Sequence, residues 1–258
     1  MFSGTSPLKS RFLAAGIHLA ISLAIALLAA LLVFGVWYPY PYRDISGGRN
    51  LFLLVVGVDV VMGPLLTLAV FNRKKPIKEL RRDIAMVGVL QLAALVYGLW
   101  TVAVARPVHL VYEIDRFRVV HAIDVPDELV ASAPADLKKL PLTGPTLLSV
   151  RAFRDATESM NATMAALQGL PLGARPDLWQ TYEVARPQVL ATAKPLEDLK
   201  RRFPDRVAEI DAALRDVSSA SGGRRIAYVP MAGRSTFWTV LIDASSAEVL
   251  AFVPVDSF

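Results

Sequence analysis

Three uninterrupted apolar segments dominate the first 105 residues, and a chain that contains them has few folds open to it. Segments 12–36, 51–71 and 84–105 together hold 68 of those residues and one formal charge, Asp59. In hydrocarbon a backbone must satisfy its own hydrogen bonds, so runs of this length and purity read as spanning helices. A helix rises about 1.5 Å per residue, so each run can cross a core about 30 Å thick. The expected architecture is a membrane protein. Three transmembrane α-helices in residues 1–106 are followed by an outer α+β domain, residues 107–258, built on an antiparallel sheet.

Lys and Arg close to the spans set the orientation. Lys9 and Arg11 precede the first span, and Arg73, Lys74, Lys75, Lys78, Arg81 and Arg82 lie between the second and third. The opposite side has only Arg43, Arg49 and Arg106. This asymmetry predicts a cytoplasmic amino terminus and an exported carboxy-terminal domain, periplasmic if the membrane is a bacterial inner membrane. Ala24-Ile25-Ala26 mimics a signal-peptidase site. However, signal h-regions run only about 7–15 residues, so the first segment is expected to stay as an anchor. It ends in Trp37-Tyr38-Pro39-Tyr40-Pro41-Tyr42, an aromatic cluster suited to the outer headgroup layer.

The net charge of +5 invites a nucleic-acid reading that the charge distribution removes. Residues 1–105 carry 10 basic and 4 acidic groups, and residues 106–258 carry 18 and 19. The surplus is a topology signal, and no nucleic-acid partner is expected. Cysteine is absent, which excludes disulfides, thiolate catalysis and Cys-ligated metal.

In the outer domain, 108–114 and 117–123 alternate around Asp115-Arg116 and predict a β-hairpin. A loop with one helical turn is expected over 126–144, a strand over 146–150 and a helix over 155–168. From Leu196 to Val217 apolar residues step by three and four, predicting an amphipathic helix or a helix pair with Pro204 in the first turn of the second member. Gly222-Gly223 marks a turn before an antiparallel meander over 226–230, 235–243 and 247–254.

Chemistry-bearing patterns are scarce, and no catalytic, cofactor or metal site is expected. The three histidines are scattered, and His109 and His121 fall on opposite faces of the expected hairpin. Ser6-Pro7-Leu8-Lys9 matches a Ser-x-x-Lys spacing only in the amino-terminal tail, and Asn161-Ala162-Thr163 is a sequon inside an expected helix.

The polar features of the spans carry more information. A carboxylate in mid-span costs about 2.5–3.5 kcal/mol on insertion, so Asp59 is expected to face inward and find a donor or a proton. Gly63 and Thr67 follow at four-residue steps, with Pro64 beside them. Gly16, Ala20 and Ala24 form a small-residue ladder on the first span, with His18 and Ser22 next to it; the third span offers Gln91, Ala94 and Gly98. Such faces either close a three-helix bundle or receive another protein's transmembrane helix.

Four stretches give the chain a family likeness: Ala15-Gly16-Ile17-His18-Leu19, the Trp37-Tyr38-Pro39 corner, the run from Gly57 through Asp59 and Gly63-Pro64 to Thr67, and the run from Arg106 to Phe117. Through them, residues 11–123 resemble the type IV pilin accessory proteins of the TfpX/TfpZ kind. The resemblance implies three helices and a periplasmic domain acting as a non-enzymatic partner of a cognate type IV pilin. Such a partner would engage both the pilin's transmembrane helix and its periplasmic head. The resemblance also implies that Asp59, Gly63 and Pro64 matter. Two other classes stay open: a membrane-anchored sensor of a periplasmic ligand, and an intramembrane aspartyl protease. The protease would need two carboxylates sharing a site, where the spans supply one.

Overall fold

The computed structural model describes residues 7–72, 75–220 and 224–258. Ser6, the Arg73-Lys74 pair and the expected Gly222-Gly223 turn lie outside the described residues. The chain forms two compact units. One runs to Trp37 and resumes over Gly47–Val104, and the other joins Tyr38–Ser46 to Ala105–Phe258.

The first unit is helical. Helix α1 (Pro7–Leu32) runs on through a wider π-helical turn at Val33–Trp37, and the short helix α2 (Tyr42–Ile45) follows in the connection. Helices α3 (Gly48–Val70) and α4 (Ile77–Val104) complete the set. The stretches Leu8–Trp37, Gly48–Val70 and Ile77–Val104 are long and apolar enough to cross a membrane. Helix α4 starts seven residues before the apolar run because Pro76 caps it: its carbonyl accepts from Glu79 and Leu80. Within the unit α3 is central, packing against both α1 and α4, which barely meet. Large apolar side chains such as Leu28, Leu54, Val89 and Tyr97 point outward and are more than 60 % exposed, an inside-out arrangement suited to lipid.

The second unit is built on a sheet whose strands come from both ends of the domain. Strands β1 (Pro107–Glu113) and β2 (Arg116–His121) form the expected hairpin. Glu113 pairs with Arg116, so the loop is Ile114-Asp115, one residue earlier than the sequence suggested. After the single turn of α5 (Asp127–Val130), β3 (Thr146–Val150) forms with the expected bounds, then α6 (Ala156–Leu167). Asp155 caps α6 by accepting from the Glu158 N–H. Next come β4 (Trp179–Thr181), α7 (Tyr182–Thr192), β5 (Lys194–Pro195), α8 (Leu196–Arg202) and α9 (Val207–Ala220). The expected helix pair is present as α8 and α9, with Pro204 opening the turn between them. The meander β6 (Ile226–Ala232), β7 (Phe237–Asp243) and β8 (Val249–Val253) closes the domain.

The sheet order is β4-β3-β1-β2-β6-β7-β8, with β5 on β6. The sheet is mixed, which corrects the antiparallel expectation. β1 pairs with β3, and β2 with β6, in parallel. Both parallel pairings follow connections long enough to carry the chain back to the starting end of its partner. Three apolar clusters cover the faces. One joins Leu110, Tyr112, Phe117 and Val240 to α7; a second gathers Val108, Val120, Leu148 and Trp179; a third seats α8 and α9 on Tyr228, Leu241 and Val253.

The aromatic cluster is divided. Tyr38 and Tyr42 are buried, and Tyr42 joins Ile45 in the core of the second unit, whereas Trp37 is half-buried and Tyr40 is exposed. Tyr42 stacks edge-on against Phe252 at 6.0 Å, and the Thr236 hydroxyl donates to the Ile45 carbonyl. Gly233 is small because Ile45 requires it: a Cβ there would lie 2.5 Å from Ile45 Cγ1.

Candidate partner-binding face of the membrane helices

The expected stripe on α3 organises the first unit. Gly63 and Thr67 are buried at successive four-residue steps from Asp59, and each meets a different neighbouring helix. On one side the His18 ring nitrogen Nδ1 hydrogen-bonds the Thr67 hydroxyl, tying α1 to α3. On the other, Gln91 of α4 lies across Gly63. Its amide nitrogen donates to the Asp59 backbone carbonyl at 3.1 Å and to Asp59 Oδ1 at 3.0 Å.

Gly63 is what permits this approach, since a Cβ there would stand 2.0 Å from Gln91 Nε2. Gly98 does the same in reverse: it admits Val55 of α3, whose Cγ1 would be 2.4 Å from an added Cβ. Close backbone approach through small residues is how helices gain van der Waals contact where lipid supplies no hydrophobic drive. Pro64, inside α3, removes the hydrogen bond to the Val60 carbonyl, next to the carbonyl that Gln91 reaches.

The structure therefore brings His18, Asp59, Gly63, Thr67, Gln91 and Gly98 into the contacts among the helices, with Pro64 half-buried beside them. It does not bring in the ladder. Gly16 and Ala20 are exposed, and nothing lies within 4 Å of a Cβ built on Gly16. Val55 was missed because a valine in an apolar run carries no signal of its own.

Because α1 and α4 barely touch, a groove of about 240 Å³ opens between them. His18, Ser22 and Ile25 line one side, Gly88, Gln91 and Leu95 the other, with Asp59 at its base. Gln91 Oε1 is buried without a partner, an acceptor left over once the amide nitrogen is committed to Asp59. Among the described residues no cluster of His, Asp and Glu could hold a metal ion.

Residues 6–47 match the family model described as Fimbrial assembly protein FimB. The chain is 35 % identical over 257 residues to the fimbrial assembly protein of serogroup I from Dichelobacter nodosus, across 97 % of this chain and 98 % of that relative. The chain belongs to the fimbrial assembly protein family. A second member, the serogroup E1 protein of the same organism, is 34 % identical over the same span. A shorter member, from serogroups C1 and C2, is 44 % identical over 121 residues, covering 45 % of this chain and 92 % of that relative. No solved structure matches the chain. The family match at 6–47 runs through α1 and on to Tyr38, Tyr42 and Ile45, so it includes the segment that completes the second unit.

Proposed function

We propose that this chain is a non-catalytic fimbrial assembly factor that holds its cognate type IV pilin in the bacterial inner membrane until the pilin joins the fimbria. In finer terms, it acts as a pilin accessory protein of the TfpX/TfpZ kind. The observation that carries this reading is the groove between α1 and α4, with Asp59 at its base and the unpartnered Gln91 Oε1 beside it. An unsatisfied acceptor in hydrocarbon is costly, and a partner helix that brings a hydroxyl or N–H donor to that depth removes the cost.

Two independent features support a periplasmic placement of the second unit. Tyr38–Ser46 and Ala105–Phe258 form one folded body, so the chain leaves that body at α3 and returns to it at the end of α4. The basic residues Lys75, Lys78, Arg81 and Arg82 near the α3–α4 connection then favour the cytoplasm for that turn and the periplasm for the body. In this arrangement the helices pack the pilin's transmembrane helix while the periplasmic domain covers its head.

The test is co-purification of the tagged full-length chain with its pilin in mild detergent, alongside deletion of the gene. The expected results are a complex, and reduced pilin level and surface fimbriae in the deletion strain. No complex together with unchanged fimbriation would remove this function. Protease added to intact spheroplasts checks the topology: it should digest the domain after Val104.

A further inference from the structure

Asp59 is the one formal charge in the three apolar segments, and its carboxylate is only half satisfied. Gln91 spends its amide nitrogen on the Asp59 backbone carbonyl and on Oδ1. Among the described residues Oδ2 accepts no hydrogen bond, and Gln91 Oε1 is buried without a donor. The apolar segments hold no Lys or Arg. On α3 the nearest is Arg49, ten residues from Asp59, and on α4 the nearest to Gln91 is Arg82, nine residues away. At about 1.5 Å per residue these separations are about 15 and 14 Å along the helix axes. A carboxylate at membrane depth is expensive unless it is paired, so the groove sets a charge requirement on its occupant as well as a shape.

We propose that the pilin helix seated between α1 and α4 carries a protonated amine at the depth of Asp59, and that this ammonium pairs with Oδ2. The free atoms select an amine over a guanidinium. A guanidinium fork binds best to both oxygens of a carboxylate, and Gln91 already holds Oδ1. A compact ammonium needs one charged oxygen and further acceptors for its other N–H groups. The Ser22 hydroxyl lines the same groove, and Gln91 Oε1 lacks a donor beside it. A second recess, between α3 and α4, also reaches Asp59. Its other polar side chains are Tyr97 and Thr101, and Thr101 is committed to the Tyr97 carbonyl. An unpaired ammonium in lipid is as unfavourable as Asp59 alone, so both charges favour the complex over separation. The pilin as client rests on the preceding reading, whereas the charge it must bring rests on Asp59.

Asp59→Asn in the full-length chain removes the charge and keeps an oxygen for Gln91. It should lower co-purified pilin by about tenfold or more while the melting temperature in detergent stays near that of the parent. Asp59→Glu should restore part of the recovery. A second arm leaves the sequence unaltered: in membranes containing the pilin, a hydrophobic carbodiimide should join Asp59 to the pilin amine as an amide. That adduct should be absent from Asp59→Asn. Pilin recovered with Asp59→Asn at the level of the parent overturns the proposal, since Asn imitates a carboxyl that carries its own proton. So does an Asp59 that reacts with the carbodiimide without joining pilin. Either result leaves the assembly function standing as long as the unaltered chain co-purifies pilin. Failure of the unaltered chain to do so removes both.

Discussion

The two units face opposite solvents and are held by opposite means. The sheet domain hides Trp179, Tyr112, Phe117 and Leu241 at under 2 % exposure, so its packing is a hydrophobic core. The membrane helices turn leucines outward and meet through Gly63 under Gln91, Gly98 under Val55, and His18 on Thr67. A leucine gains little by leaving lipid for another leucine, so a few small-residue contacts and polar bonds must define that unit. It follows that loss of volume should injure the sheet domain, whereas added volume should injure the helices.

The sharpest test of the first half is Tyr42→Ala. As a core residue of the sheet domain, Tyr42 should cost about 3–5 kcal/mol when truncated, in the range of other buried aromatics. As a headgroup aromatic it would cost far less. Unfolding of the full chain in detergent, followed by the fluorescence of Trp179 and Trp238, distinguishes the two outcomes.

That position also shows where the sequence stopped being informative. The apolar runs, the β3 bounds, the α8–α9 pair and the final meander all follow from local periodicity. Tyr38, Tyr42 and Ile45 do not, because an aromatic cluster at the end of a span looks the same whether it meets headgroups or a domain that begins some sixty residues later. The parallel rungs β1–β3 and β2–β6 were hidden for the same reason, since no local pattern encodes a partner across a long connection. Pro187 inside α7 obscured that helix. Within the site, Asp59, Gly63 and Thr67 were legible because polar and small residues stand out in an apolar run. The orientation of the Gly16 ladder was not, since spacing reveals a face without revealing what it meets.

The next effect separates the units by pH. His109 is buried in the sheet domain, its ring edge-on to Trp179, and desolvation pushes its pKa down to about 4. The unfolded chain binds that proton near 6.5, so stability is present above pH 6.5 and falls as pH drops toward 4, by about 3 kcal/mol in total. Asp124, whose carboxylate hydrogen-bonds His121, Asp243, whose carboxylate accepts from Ser245, and Glu158, paired with Arg151 and lowered to about 2, lose their contributions at more acid pH. Melting of the full chain between pH 4.5 and 7 should therefore slope downward toward acid, and His109→Phe should flatten the slope.

Added volume in the helices should cost somewhat less. In Gly63→Val the new side chain occupies the place of Gln91 Nε2, which breaks both bonds to Asp59 and parts α3 from α4. Overpacking of this kind costs about 1–3 kcal/mol. Hydrogen exchange in detergent should speed up in α3 and α4 while the sheet domain keeps its protection. Equal loosening in both regions would contradict the division drawn here.

The smallest effects on stability are the most telling about function. Gly88 and Gly16 are both exposed, and neither has any atom within 4 Å of an added Cβ, so a leucine at either should change stability by less than about 0.5 kcal/mol. They differ in what they face: Gly88 lines the α1–α4 groove, and Gly16 sits on the outward ladder of α1. If the groove seats the pilin helix, Gly88→Leu should sharply reduce the pilin recovered with the full-length chain, and Gly16→Leu should leave recovery unchanged. The reverse pattern would move the docking face to the ladder, and the unpartnered Gln91 Oε1 would then need another explanation.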